Sequence, residues 1–293
     1  MGRELAATFS VARRVFDEAD ERLGFSLSAL CFDGPTERLE LTENAQPAIL
    51  TASVAAYRVL AEETGIRPAA VAGHSLGEWS ALVAADVLSF ADAVAGVRER
   101  GRLMQVAVPV GEGAMAALIG VTTEVASALC AEVADGDVLA PANLNGGGQV
   151  VVSGATRAVD RLVAAAGGRR IRAQRLAVSA PFHCALMAPA AEGLARHLEG
   201  VAFGEPALPV LTSVEARAVR DAADVRQLLV RQVTAPVRWE DTVRALIALG
   251  PTVAIETGPG RVLSGLMKRI APEMPVVGAF ELDGFERARQ VLA

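Results

Sequence analysis

Aromatic residues are scarce in this chain of 293 residues, where phenylalanine, tryptophan and tyrosine together make up 4%. Hydrophobic residues still account for 52% of the sequence, so alanine, valine and leucine must build the core. That content is enough for one large core plus an inserted unit. No apolar run is long enough to cross a bilayer, which argues against a membrane protein.

Cysteine is equally sparse. Three widely spaced cysteines offer no disulfide framework and indicate a reducing compartment. The N-terminus lacks the basic and apolar regions of a signal peptide. We therefore expect a cytoplasmic location.

Positive charge is in deficit, and the formal net charge of −6 argues against non-specific nucleic-acid binding. Lys268 is the single lysine of the chain; the other basic residues are arginines. Basic clusters at 169–175 and 268–269 offer a docking place for an acidic protein partner. Solvated surface charge is the simpler explanation of each cluster taken alone.

Helix and strand patterns alternate along the chain, which predicts an α/β fold. Helical periodicity predicts amphipathic helices over about 4–23 and 47–63. Short apolar runs bounded by glycine or proline predict the buried strands of a mostly parallel sheet, at Ala69–Ala72, Pro209–Thr212, Thr252–Glu256 and Pro275–Gly278.

The middle of the chain predicts a different order, β-α-β-β-α-β. The predicted strands are Gly113–Gly120, Val138–Asn143, Gln149–Gly154 and Arg170–Val178. This order is the ferredoxin-like arrangement. We expect residues 113–178 to form a small subdomain inserted into a large α/β-hydrolase-like subdomain of residues 1–112 and 179–293. The cleft between them is the expected ligand site.

The strongest functional signal is the stretch Gly73-His74-Ser75-Leu76-Gly77. It follows an apolar run and opens an amphipathic segment, which is the context of a nucleophile elbow. A Cβ at either flanking glycine is expected to clash in the strained turn. The Leu76 N–H would lie at a helix start, where it favours a developing oxyanion. The alternative is a capping box from Ser75 to Glu78, in which the serine only caps the helix.

A nucleophilic serine needs a base, and the chain has three histidines. His74 adjoins the serine and is expected to point away from it, and His197 lies near a helix end. His183 follows Pro181 on a loop where the chain returns from the inserted unit, so it is the base by elimination. The acidic residues between Ser75 and His183 in the sequence are poor candidates for the third member of a Ser-His-acid triad. We expect a dyad in which a backbone carbonyl or an amide holds the imidazole.

Arg100 lies at the edge of the apolar stripe of a predicted helix over 89–108, beside Met104. An arginine whose guanidinium is buried in a core needs an anionic partner. Its guanidinium can also grip a carboxylate in a bidentate fork. Spacing alone leaves a structural ion pair and a ligand site both open, and slightly favours the ion pair.

These motifs resemble those of the malonyl-CoA:acyl-carrier-protein transacylases, the acyltransferases of fatty-acid and polyketide synthesis. Several independent motifs occur in the order of that family, which makes the resemblance specific. The matching stretches are 42–51, 73–82, 100–105, 113–117, 143–145, 179–187, 231–232, 236–239 and 258–263.

The resemblance implies a role for each matched residue. Ser75 is the acylated nucleophile, His183 is the general base and later the acid, and Arg100 binds the free carboxylate of the malonyl group. The other implied roles are an oxyanion-binding N–H from Leu76, a backbone carbonyl of Gln232 that orients the imidazole, and substrate contacts from Phe182, Met104 and Asn143. Phe182 resembles the malonyl-selective form of its loop.

The implied reaction is ping-pong: Ser75 takes malonyl from malonyl-CoA and passes it to the phosphopantetheine thiol of an acyl carrier protein. No metal or redox cofactor is needed, and a monomer is expected. Two alternatives are a serine esterase or thioesterase and a non-catalytic protein that binds carrier protein. The pathway stays open between fatty-acid synthesis, polyketide synthesis and a malonate decarboxylase system.

The chain departs from the family at its start. The family begins with a buried strand and a Gly-Gln-Gly loop that supplies the second oxyanion donor. This sequence lacks both, and we expect a misplaced start or a trimmed chain. Loss of one oxyanion donor costs about 2.7–4 kcal/mol, so a chain that truly lacked the loop would be crippled or inactive.

Overall fold

The computed structural model describes residues 1–178, 180–219 and 221–292. Ser179, the predicted start of the second part of the large subdomain, lies outside the described residues. The fold is α/β with mostly helices. Within the described ranges the helices are α1 (Arg3–Thr8), α2 (Ser10–Leu23), α3 (Leu27–Asp33), α4 (Thr36–Leu39), α5 (Thr42–Thr64), α6 (Gly77–Ala84), α7 (Phe90–Val106), α8 (Thr123–Val133), α9 (Thr156–Gly168), α10 (Ala188–Leu198), α11 (Ala222–Gln232), α12 (Trp239–Ala248), α13 (Val262–Ile270) and α14 (Leu282–Leu292), with a 3₁₀ turn at Ala185–Met187. None of these helices is long and apolar enough to cross a membrane.

The strands are short and belong to three sheets. They are β1 (Val71–Ala72), β2 (Gly113–Ile119), β3 (Leu139–Gly146), β4 (Gln149–Ala155), β5 (Arg172–Arg175), β6 (Val210–Leu211), β7 (Ala254–Thr257) and β8 (Val276–Ala279). Each lies within or across a segment that the sequence predicts to be a strand. The boundaries differ by a few residues, since strand ends depend on pairing partners that local sequence does not show.

The middle of the chain forms a four-stranded antiparallel sheet in the order β3-β4-β2-β5. Its elements follow the predicted sequence β-α-β-β-α-β. Alternate residues of the strands face α8 and α9, and a separate core forms there around Leu118, Leu129, Val152 and Leu162. This sheet therefore has its own apolar core, distinct from the main one.

The strands outside this sheet do not form the single mostly parallel sheet that the sequence predicts. β1 pairs in parallel with β6, and β7 pairs in parallel with β8. Among the described residues no strand lies between the two pairs to hydrogen-bond with both. The parallel pairing is therefore as expected, but the sheet is divided into two parts.

Close packing between α5 and α7 brings Arg100 and Gln46 together. A Cβ on Gly101 of α7 would lie 2.6 Å from the Thr42 carbonyl oxygen at the start of α5. Only glycine permits this approach, which brings neighbouring side chains of the two helices within reach of each other. Arg100 and Gln46 are the pair that results, with a hydrogen bond of 2.6 Å.

Candidate active site

Ser75 lies in a strained turn between β1 and α6, with a left-handed φ of 51°. A Cβ on Gly73 would lie 1.9 Å from the carbonyl carbon of Gly77, so the turn closes only with glycine at that flank. The expected clash at the other flank is wrong, because a Cβ on Gly77 would meet no atom within 4 Å. Gly77 already belongs to α6, where its Cβ position faces open space.

The Ser75 hydroxyl does not cap α6. It donates to Nε2 of His183 at 2.8 Å and accepts from Nη2 of Arg100 at 3.0 Å. α6 begins after Leu76 without a side-chain cap, so the capping-box alternative is wrong. The Leu76 N–H has no backbone acceptor among the described residues, and it is available at the helix start.

His183 is buried and contacts Ser75, although the two residues are far apart in the sequence. Its Nδ1 lies 2.8 Å from the backbone carbonyl of Gln232. A carbonyl only accepts, so Nδ1 carries the proton and Nε2 is free to accept from Ser75. Burial, and then the positive charge of Arg100, lower the pKa of His183 to about 3. The imidazole is therefore neutral at neutral pH and can take a proton.

Arg100 is 3% exposed, yet it forms no direct ion pair among the described residues. Its guanidinium donates to neutral acceptors: Gln46 Oε1 at 2.6 Å, Ser75 Oγ at 3.0 Å and Gln232 Oε1 at 3.1 Å. Its Nε finds no acceptor in the described part of the chain. Burial lowers its pKa to about 10, so the charge persists at neutral pH. The structural ion pair that spacing slightly favoured is not observed, and the site holds a buried cation without a bonded anion.

Two of the predicted substrate contacts, Met104 and Phe182, lie near the catalytic residues in the chain. Met104 is 1% exposed, one turn of α7 after Arg100, and its sulfur accepts from Gln46 Nε2 at 3.7 Å. Phe182 immediately precedes His183, is partly buried and packs against apolar residues of the small sheet. Contact of either side chain with substrate stays a prediction.

Asn143 lies on β3 and is 9% exposed, but no hydrogen bond to Ser75, His183 or Arg100 is found among the described residues. Its neighbour Asn145 bonds instead to the other histidine, with its Oδ1 2.9 Å from His74 Nε2. His74 thus points away from the serine, as expected, and links the elbow to the small sheet.

For two residues of the site, the sequence predicted no catalytic or binding role. Gln46 on α5 binds Arg100, and its only sequence signal was membership of a stretch that matches the family. Glu78 is 1% exposed and accepts from the Gln232 side chain at 2.7 Å. Sequence spacing suggested only a cap for Glu78, because partners 154 positions apart leave no local pattern.

The acyl transferase domain matches residues 1–276 of this chain. The chain belongs to the acyl transferase family. Among its curated relatives, the malonyl CoA-acyl carrier protein transacylase of Bacillus subtilis is 45% identical, over 100% of this chain and 92% of the relative. The protein of that name from Escherichia coli K12 is 48% identical, over 91% of this chain and 87% of the relative.

Solved structures agree with the placement in this family. The malonyl CoA-acyl carrier protein transacylase of Coxiella burnetii superposes with a TM-score of 0.97 at 40% identity, covering 100% of this acyl transferase and 93% of that chain. A malonyl-transacylase in complex with a type II polyketide acyl carrier protein superposes with a TM-score of 0.96 at 45% identity, covering 99% and 94%.

Proposed function

We propose that this acyl transferase moves the malonyl group of malonyl-CoA to the phosphopantetheine thiol of an acyl carrier protein. One observation carries the proposal: the hydroxyl of Ser75 contacts both His183, at 2.8 Å, and the buried guanidinium of Arg100, at 3.0 Å. An esterase uses the first contact and has no need of the second. A carboxylated acyl group uses both, and the relatives at 45% and 48% identity bear the name of this activity.

In the first half-reaction Ser75 Oγ attacks the thioester carbonyl carbon while its proton passes to His183 Nε2. The Leu76 N–H stabilises the negative charge on the carbonyl oxygen. The intermediate then collapses, the carbon–sulfur bond breaks, and the coenzyme A sulfur takes the proton from His183. The products are free coenzyme A and a malonyl ester of Ser75.

In the second half-reaction the carrier-protein thiol gives its proton to His183, and its sulfur attacks the malonyl ester. The ester bond breaks, and the serine oxygen recovers the proton from the imidazole. Throughout, the Gln232 carbonyl keeps the second proton on Nδ1 and so holds the reactive tautomer. The chain supplies base, acid and cation itself, so we expect no metal or redox cofactor.

Arg100 binds the malonyl carboxylate in this proposal. Since its present partners are neutral amides and a hydroxyl, an incoming carboxylate gains the full charge-assisted interaction. The bound anion also offsets the positive charge that depresses the pKa of His183, which strengthens the base when the correct substrate is present. Met104 and Phe182 enclose the short acyl chain, and Asn143 is proposed as a further contact from β3.

The subdomains are part of the same proposal. We assign residues 113–178 as the ferredoxin-like subdomain, supported by the strand order β3-β4-β2-β5. We assign 1–112 and 179–293 as the α/β-hydrolase-like catalytic subdomain, supported by the elbow between β1 and α6. We further expect a monomer and a cytoplasmic location, in keeping with three free, buried cysteines.

Intact-protein mass spectrometry tests the function. Malonyl-CoA alone should leave a malonyl adduct on the protein, and added holo carrier protein should remove it and become malonylated. Ser75→Ala should give no adduct, whereas Ser80→Ala, which removes a buried hydroxyl on α6 with no described partner, should keep it. Rapid release of free malonate would instead indicate a hydrolase. Binding of carrier protein without any adduct would indicate a non-catalytic homologue.

A further inference from the structure

Glu78 takes no part in the two half-reactions, yet its carboxyl group is buried beside them. It lies in the first turn of α6 and is 1% exposed. Its Oε2 accepts from the Ser213 backbone N–H at 2.8 Å and from Gln232 Nε2 at 2.7 Å. Burial raises the pKa of Glu78 above its usual value, and these hydrogen bonds and the charge of Arg100 offset that rise only in part. Burying a carboxyl group costs free energy of folding, so its position here suggests a functional role for Glu78.

Gln232 connects this carboxyl group to the substrate-binding cation. Its Oε1 accepts from Arg100 Nη2 at 3.1 Å, and its Nε2 also donates to the Ser75 carbonyl at 3.2 Å. The two ends of an amide have nearly the same shape but opposite hydrogen-bonding roles. Both neighbours of Nε2 are acceptors, so they determine that the oxygen end faces Arg100.

The indirect link leaves the guanidinium without a directly bonded carboxylate among the described residues. A carboxylate bonded directly to Arg100 would fill the fork that the acyl carboxylate needs. Gln232 instead holds Glu78 one side chain away, and the Arg100 Nε stays without an acceptor among the described residues. The cation is held in place without being neutralised by a direct ion pair.

We propose that Glu78 is a positioning residue that favours acyl groups bearing a carboxylate, because it orients the Gln232 amide whose oxygen holds Arg100. This inference rests on the proposed malonyl transfer. If the amide were reversed, its NH₂ would oppose the guanidinium, and Arg100 would leave its place beside Ser75. The Gln232 backbone carbonyl is set by the end of α11 and would still hold His183, so acetyl transfer would continue.

The test compares kcat/KM for malonyl-CoA and acetyl-CoA in two variants of this residue. Glu78→Ala removes the nearer of the two acceptors of Gln232 Nε2, at 2.7 Å, and leaves only the Ser75 carbonyl at 3.2 Å. It should lower the malonyl-to-acetyl ratio by about tenfold or more. Glu78→Gln should keep the ratio within about threefold of the parent protein. The Ser213 N–H and Gln232 Nε2 both donate, so the new amide would turn its oxygen toward them. Thr212→Val is the control: Thr212 is 2% exposed, its hydroxyl has no described partner, and its ratio should not change.

Gln232→Met removes the same link from its other end and provides a test if Glu78→Ala does not fold. It should lower the ratio about as far as Glu78→Ala, and the double variant should lower it no further. An unchanged ratio in either single variant, equal losses with both donors, or additive losses in the double variant would overturn the inference. A parent protein that transfers no malonyl at all would refute the proposed function instead.

Discussion

Replacing Arg100 by alanine tests the central assignment most directly. Arg100 is 3% exposed, and its guanidinium donates to three neutral oxygens, one of them the nucleophile at 3.0 Å. Its loss removes the cation that contacts Ser75 and that we propose binds the acyl carboxylate. It also removes the contact with Ser75 Oγ, but that contact is lost for every acyl donor alike. The ratio between two donors therefore isolates the interaction with the carboxylate.

The expected magnitude follows from the strength of a hydrogen bond to a charged group. Such a bond contributes about 1.5–3 kcal/mol, which corresponds to a change of about ten- to a hundredfold in rate. Arg100→Ala should therefore lower kcat/KM for malonyl-CoA by about that factor or more. Transfer of acetyl, which has no carboxylate, should be spared or improved.

The assay is the initial rate of adduct formation after rapid quenching, followed by intact-protein mass spectrometry with malonyl-CoA and acetyl-CoA in parallel. Arg102→Ala is the matched control, because Arg102 lies on the same helix but is exposed and bonded to Glu99 at 2.8 Å. The control should match the parent protein with both donors. Equal losses with both donors in Arg100→Ala would refute the role assigned to this residue.

Two further predictions concern the base and the turn. Burial and Arg100 hold the pKa of His183 well below its usual 6.5. We therefore expect kcat/KM for acylation to stay flat from roughly pH 8 to about pH 5, and to fall only at lower pH, where the folded-state imidazole gains a proton. A loss of kcat/KM centred near pH 6.5 in quenched-flow measurements would contradict this. Gly73→Ala places a Cβ 1.9 Å from backbone and should cost about 3 kcal/mol or more in the free energy of unfolding. Gly77→Ala meets nothing within 4 Å and should leave that free energy unchanged or raise it by about 0.5–1 kcal/mol. Urea denaturation of the two glycine variants would decide, and similar midpoints for both would count against the geometry of the turn.

Local pattern was enough to predict the elements that carry the chemistry. The elbow around Ser75 was predictable because strand, glycine turn and helix start are all encoded within a few residues. The β-α-β-β-α-β order was also predictable, since each element there has its own hydrophobic periodicity. The division of the parallel strands into two pairs was not, because pairing depends on which strands lie side by side in space.

The chemistry of the site itself required tertiary contacts. Sequence alone identified a serine, an imidazole and a guanidinium as candidates, and left Arg100 open between an ion pair and a ligand site. The fold shows no direct ion pair at Arg100 among the described residues, because α5, the Ser75 turn and the end of α11 bring neutral oxygens to the guanidinium. Binding of a ligand carboxylate by Arg100 stays a prediction. The hydrogen bonds of Glu78 and the amide orientation of Gln232 likewise arise only in the folded chain. A hydrogen bond between residues 154 positions apart leaves no trace in local sequence, since it depends on where two separate elements meet.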